Sequence, residues 1–121
     1  MSGSSFKNMQ KNIYKGGEKM RTYENKGINK MNFTVPVTVY CPLGSNYYRA
    51  TISVKMELGE YIVDFLDLED YFKKELNGKS LTSEDLVIEI FNHLDENYKP
   101  MHLSVTSHSD SHFEIDVIKE K

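Results

Sequence analysis

The sequence is short of the residues that would suggest a secreted or membrane protein. Among its 121 residues Cys41 is the only cysteine, tryptophan is absent and there are three prolines. A single cysteine excludes an internal disulfide and is typical of a reducing compartment. There is no apolar run of about 18 residues and no apolar segment of the signal-peptide kind. We therefore expect a cytoplasmic protein with no membrane partner.

Charge is distributed unevenly along the chain. Residues 1–31 contain seven Lys or Arg and two Glu, whereas residues 32–121 contain eight Lys or Arg and sixteen Asp or Glu. The first part also lacks hydrophobic periodicity, which predicts a flexible basic N-terminal arm. Its lysines interleave with Tyr14 and Tyr23, and this pattern is the basis for one hypothesis, an RNA-binding module that contacts tRNA. We favour a solvated arm, because the acidic remainder repels nucleic acid.

Residues 32–121 carry the pattern of one α+β domain. Apolar residues alternate in "NFTVPVTVY" and "YYRATISVKME", which predicts two strands joined by the turn "CPLGSN". Helical spacing follows in "DFLDLEDYFKKELNG", with Asp64 or Asp67 as N-cap, Phe65 on the buried face and Gly78 as the stop. A second helix starts at Thr82 or Ser83. Two further alternating segments follow Pro100.

The predicted order is therefore ββααββ. Such an order gives a four-stranded antiparallel sheet with both helices on one face. Because a short sheet of this kind leaves two edges unpaired, we expect a homo-oligomer.

This order resembles the tunnelling-fold superfamily, whose subunits join their sheets into a barrel and bind a pterin or purine between subunits. "GSNYYRATISVKME", "YIVDFLDLEDYF" and "LTSEDL" are similar to motifs of the 6-pyruvoyltetrahydropterin synthase and 6-carboxytetrahydropterin synthase family. That family binds zinc through three histidines, two of them in a His-Gly-His turn. Here the turn reads Leu43-Gly44-Ser45 and the first strand has no histidine, so we expect no metal.

A second branch of the superfamily is similar at other positions. The queuosine-pathway nitrile reductase and the archaeal amidinotransferase carry Cys-Pro at a strand end, as Cys41-Pro42 does, and a glutamate in the second helix that holds the base, as Glu84 would. Ser83 stands where that branch has histidine, and Tyr48 where it has a catalytic aspartate. The reductase's basic cofactor motif is replaced by the acidic "VDFLDLED", so we expect no cofactor.

The resemblance leaves the question of catalysis open. The first hypothesis is a protein that binds a guanine-like small molecule, a pterin or deazapurine, at a subunit interface, with Glu84 and Ser83 as ligand-binding residues. This hypothesis covers a homologue that binds the ligand but does not catalyse a reaction. The alternative is an enzyme in which Cys41 adds to 7-cyano-7-deazaguanine to form a thioimide. Without either role, Cys41 is a small residue at a turn, and Glu84 is a carboxylate stabilised by the helix dipole.

The four histidines are a further candidate site. His108 and His112 lie in one predicted turn region, and His102 lies on the strand before it. Zinc accepts such ligands, but the spacing matches no zinc motif. We expect His93 and these three to be exposed polar residues.

Overall fold

The structure is a computed structural model that describes the backbone of residues 10–15, 18–109 and 114–121, and the side chains of residues 24–109 and 114–121. Its strands are β1 (Gln10–Lys15), β2 (Glu18–Glu24), β3 (Lys30–Cys41), β4 (Asn46–Glu57), β5 (Tyr61–Val63), β6 (His102–Ser109) and β7 (Ile115–Glu120). Helix α1 (Phe65–Asp70) continues into a π-helical turn (Tyr71–Leu76), and α2 spans Ser83–Tyr98. No helix in these ranges is long and apolar enough to cross a bilayer.

The main sheet has the predicted architecture. Its four strands are antiparallel in the order β3-β4-β6-β7, and β3 and β4 pair along their full length from Lys30–Glu57 to Cys41–Asn46. One face carries the buried residues that alternate along the strands, and α2 packs against it over β6 and β7. The other face carries mostly polar side chains, and no helix within the described ranges packs against it. The predicted α+β ββααββ fold is confirmed.

Hydrophobic side chains on α2 and the covered sheet face form the core. The stripe predicted for the second helix is buried throughout: Leu86, Val87, Ile90, Phe91 and Leu94. Its partners on the sheet are the inward residues of the two central strands: Tyr48, Ala50, Ile52, Val54, Met56, Leu103 and Val105. Because this alternation leaves the opposite face polar, the sheet has one packed side and one solvated side.

The first helix differs from its sequence prediction at one buried position. Leu68, Phe72 and Leu76 are buried as expected, but Phe65 is 68% exposed and Tyr71 takes its place in the core. Phe65 is the first residue of α1, and the buried positions that follow it are Leu68, Tyr71 and Phe72. The π turn begins at Tyr71 and changes the helical spacing only from there on. The N–H of Asn77 reaches the carbonyl of Phe72, five residues earlier, at 3.3 Å. The sequence pattern assumed a uniform α-helix.

The chain before Asn32 contains strands that the sequence analysis did not predict. Strands β1 and β2 pair with each other, and β2 pairs with β5 to form a second, three-stranded sheet. Strand β3 also begins at Lys30 rather than Asn32, and Met31 belongs to the core. Backbone pairing does not depend on hydrophobic alternation, so periodicity gave no signal here. The flexibility proposed for residues 1–31 stays a prediction.

Candidate functional site

The candidate site lies where β3 ends and α2 begins. These two points are held together by main-chain hydrogen bonds between the end of β3 and the segment 77–81. The N–H of Tyr40 donates to the carbonyl of Lys79 at 2.9 Å, and the N–H of Leu81 donates to the carbonyl of Tyr40 at 2.9 Å. This segment runs parallel to the strand edge and delivers the chain to the start of α2. Residues 41 and 83 are thereby brought to one end of the sheet.

The turn after Cys41 is closely packed around its sulfur. Cys41 is half-buried, and its Sγ accepts a hydrogen bond from the N–H of Gly44 at 3.4 Å. A Cβ at Gly44 would lie 2.7 Å from Oδ1 of Asn46 and 3.7 Å from that sulfur. Glycine therefore fits this position because the turn folds back over the cysteine. Ser45 completes the turn in the left-handed region, with φ of 52°.

Helix α2 begins with the cap that the sequence predicted. Oγ1 of Thr82 accepts a hydrogen bond from the N–H of Asp85 at 3.3 Å. Glu84 and Asp85 occupy the first turn, where the helix dipole favours negative charge, and both are exposed. Ser83 is half-buried. Glu84 is thus a solvent-accessible carboxylate in the first turn of α2, three residues after Leu81, which is hydrogen-bonded to the end of β3.

Tyr48 lies at the centre of the group. It is 8% exposed, and its hydroxyl donates to the carbonyl of Leu81 at 2.9 Å. Burial is the main cause that raises the pKa of Tyr48 above 10.0, while a hydrogen bond with Ser83 opposes the rise. Negative charges on Cys41, Glu84 and Asp85 raise this pKa further.

Cys41, Ser83 and Glu84, the site residues predicted from the sequence, therefore all influence the pKa of one phenol. From the sequence, Tyr48 is an inward residue of the second strand and stands where the second branch has an aspartate, but its bond to the Leu81 carbonyl was not predicted. The inward position of Tyr48 in the strand alternation is the signal that could have revealed a buried hydroxyl in need of a partner. Arg49, the residue after Tyr48 on β4, lies on the opposite, helix-free face of the sheet and therefore away from the Tyr48 phenol.

The histidines do not form one site. The ring of His93 stacks on Tyr71 with centroids 3.7 Å apart, so its predicted exposure is wrong. His108 hydrogen-bonds Asp116 at 2.6 Å, and His102 lies 3.9 Å from Glu57. His112 lies outside the described residues. Within the ranges that the structure describes, no three His, Cys, Asp or Glu side chains come together as metal ligands.

We expect the Tyr48→Phe variant to be about 1 kcal/mol less stable than wild type at neutral pH, because the Leu81 carbonyl loses its donor. The difference should shrink above pH 10. The unfolded chain releases the Tyr48 proton near pH 10.0 while the folded chain retains it, so wild-type stability falls as pH rises. Urea unfolding of both proteins at neutral pH and above pH 10 checks this. An equal difference at both pH values would contradict it.

Comparisons with known proteins place the fold. No protein-family model matches the chain, and no curated protein is similar to it in sequence. The crystal structure of the archaeosine synthase QueF-Like in the apo form matches with a TM-score of 0.73 and 15% identity, over 79% of this chain and 96% of that chain. At this identity the likeness establishes the fold. It agrees with the α+β ββααββ architecture predicted from the sequence.

Proposed function

We propose that this protein binds a bicyclic guanine-like small molecule, a pterin or a deazapurine, at the end of the sheet marked by Cys41 and Glu84. The backbone hydrogen bonds that hold the end of β3, at Cys41, against the segment leading into α2, at Ser83 and Glu84, are the observation that supports the proposal. The likeness to a structure described as an archaeosine synthase favours a deazapurine over a pterin. We expect the protein to bind this ligand in the cytoplasm.

Each group in the site has a chemistry that fits such a ring. A carboxylate at Glu84 accepts hydrogen bonds from the ring N–H and the exocyclic amino group of guanine-like bases. The Ser83 hydroxyl can donate or accept beside it. No metal or cofactor is required for this recognition. The tRNA hypothesis has no further support, because it rests on residues 1–31.

A catalytic role for Cys41 is the second candidate function. The N–H aimed at its sulfur and its half exposure favour a thiol that a ligand can reach. Tyr48 weighs against catalysis, because its hydroxyl is already engaged with the Leu81 carbonyl instead of facing the sulfur as a free proton donor. We therefore rank reversible binding first and a thioimide-forming enzyme second.

The proposal is tested by calorimetric titration of the protein with 7-cyano-7-deazaguanine and, separately, with a pterin. We expect saturable binding of the deazapurine at one site per chain, with weaker binding of the pterin. Alkylation of Cys41 by iodoacetamide should slow when the deazapurine is present, because the ring would cover the sulfur. Absence of heat and of protection with both ligands would overturn the proposal.

We also propose that the chain assembles into a homo-oligomer through the outer strands of its sheet. Strands β3 and β7 are the outermost of the four, and β7 presents Ile118 with 58% of its surface exposed. The Tyr40 end of the β3 edge is hydrogen-bonded to the segment 77–81, whereas β7 has no further strand beside it in the described sheet. An open edge such as that of β7 favours association. Light scattering should give a mass above the 14.0 kDa of one chain. Ile118→Lys should shift the protein toward monomer, whereas Ile88→Lys on α2, which is 46% exposed, should not. A monomeric wild type would contradict the proposal.

A further inference from the structure

A cavity of about 510 Å³ opens on the helix-free face of the main sheet. Its lining includes Lys30, Asn32, Lys55, Glu57, His102 and Ser104. Lys30 is the first residue of the 12-residue strand β3 and Cys41 is the last. At about 3.3 Å per residue, the two ends lie roughly 36 Å apart. The cavity is therefore separate from the candidate site at Cys41, and its volume suits a small molecule.

Strand register fixes how the lining side chains are arranged. Lys30 is paired with Glu57, and Asn32 with Lys55, across the β3–β4 ladder. Lys30 and Lys55 are thus diagonal neighbours on one face, at a typical Cα separation of about 7–8 Å. Two ammonium groups on flexible stems at this spacing can both reach one anion between them.

Neither lysine is held in a direct ion pair. Both are exposed, and neither forms an ion pair with any residue whose side chain the structure describes. A third lysine of the lining, Lys121, forms an ion pair with Asp95. Residues 32–121 have twice as many acidic as basic residues. The cavity lining contains three lysines and two glutamates, so it is less acidic than this part of the chain as a whole, which favours an anion beside the two lysines that form no ion pair.

The rest of the lining adds selectivity. Glu57 and Glu120 are carboxylates, which accept hydrogen bonds but repel a bare anion. Asn32 and Ser104 can donate or accept. A ligand that satisfies both sets carries one anionic group and, beside it, several N–H or O–H donors. Inorganic phosphate alone would satisfy only the lysines.

We propose that this cavity binds a small phosphorylated molecule that carries hydroxyl or amino donors, with its phosphate between Lys30 and Lys55 and its donors toward Glu57 and Glu120. Phosphate is a strong acceptor for charge-assisted hydrogen bonds from lysine. The proposal does not depend on the function proposed for the Cys41 end.

The phosphate proposal is tested by titrating the full chain with ribose 5-phosphate at low salt and following the change in its NMR chemical shifts. Saturable shifts should map to the strand residues around Lys30 and Lys55. The double variant Lys30→Gln/Lys55→Gln should bind about tenfold or more weakly. The control Lys73→Gln/Lys74→Gln makes the same change of charge at exposed residues of the π turn, and its affinity should stay within twofold of wild type.

A Glu57→Gln variant is expected to change the affinity for phosphate in the opposite direction to the lysine variants. It removes a repelling charge, so it should bind inorganic phosphate more tightly than wild type, while its preference for ribose 5-phosphate over phosphate should fall. No saturation at millimolar ribose 5-phosphate, shifts that map elsewhere, or an equal loss in the Lys73/Lys74 control would each overturn the proposal. All four lysines are exposed, so these variants are expected to fold.

Discussion

The Glu84→Gln variant is expected to bind 7-cyano-7-deazaguanine about 10- to 100-fold more weakly than wild type. Glutamine keeps the shape of the side chain but replaces one acceptor oxygen by a donor, which then faces the donor edge of the ring. Hydrogen bonds to a charged group contribute about 1.5–3 kcal/mol, and about 1.4 kcal/mol corresponds to a factor of ten in affinity. Calorimetry on both proteins gives the ratio directly.

Asp85→Asn is the matched control for this change. Asp85 is also exposed, also lies in the first turn of α2, and loses the same charge. The general effect of charge at a helix N-terminus is therefore equal in both variants, and only a direct contact with the ring distinguishes them. We expect the affinity of Asp85→Asn to stay within about threefold of wild type, a change of less than 1 kcal/mol. Equal losses in the two variants would show that Glu84 acts only through the helix dipole.

The Cys41→Ala variant should lose every covalent adduct and keep reversible binding. In the thioimide reaction the sulfur adds to the nitrile carbon, and the thiol proton goes to the nitrile nitrogen. No group leaves, so the mass of the protein increases by the full mass of the nitrile. Intact-mass spectrometry after incubation with 7-cyano-7-deazaguanine detects this increase in wild type if Cys41 is a nucleophile. The variant should show none.

The two possible outcomes for wild type separate the proposed functions. An adduct that Cys41→Ala abolishes supports the enzyme. Reversible binding without an adduct supports the binding homologue. If Cys41→Ala alters neither affinity nor adduct formation, the cysteine is a packing residue of the turn, where its Sγ accepts the Gly44 N–H. The role of Glu84 would stand independently in that case.

The relation between the two ends of the sheet has a consequence for experiments. The Cys41 end and the cavity at Lys30 lie on opposite faces as well as at opposite ends of β3. Variants at one end should therefore leave binding at the other within about 0.5 kcal/mol, since distant substitutions are usually additive. Failure of the phosphate proposal would thus say nothing about the deazapurine proposal.

Local chemistry in the sequence determined most of the fold. Alternation from Phe33 to Val39 and from Tyr48 to Met56 specified a two-faced hairpin, because successive side chains of a strand point to opposite sides. Helical spacing and the Thr82 cap specified α2, whose apolar stripe is buried as predicted. These features depend on residues close together in the chain, so the sequence displays them directly.

Tertiary structure alone decided the features that join distant segments. Strand β2 pairs with β5 through backbone groups, which do not depend on the side chain. The hydrophobic pattern of the sequence therefore did not predict the second sheet. Phe65 is exposed and Tyr71 is buried, although helical spacing alone places Phe65 on one face with Leu68 and Phe72. The partner of Tyr48 is a carbonyl 33 residues away, and the cavity at Lys30 and Lys55 exists only where strand register aligns them. Sequence spacing carries no information on such contacts, because they are fixed by how the elements pack and not by their local preferences.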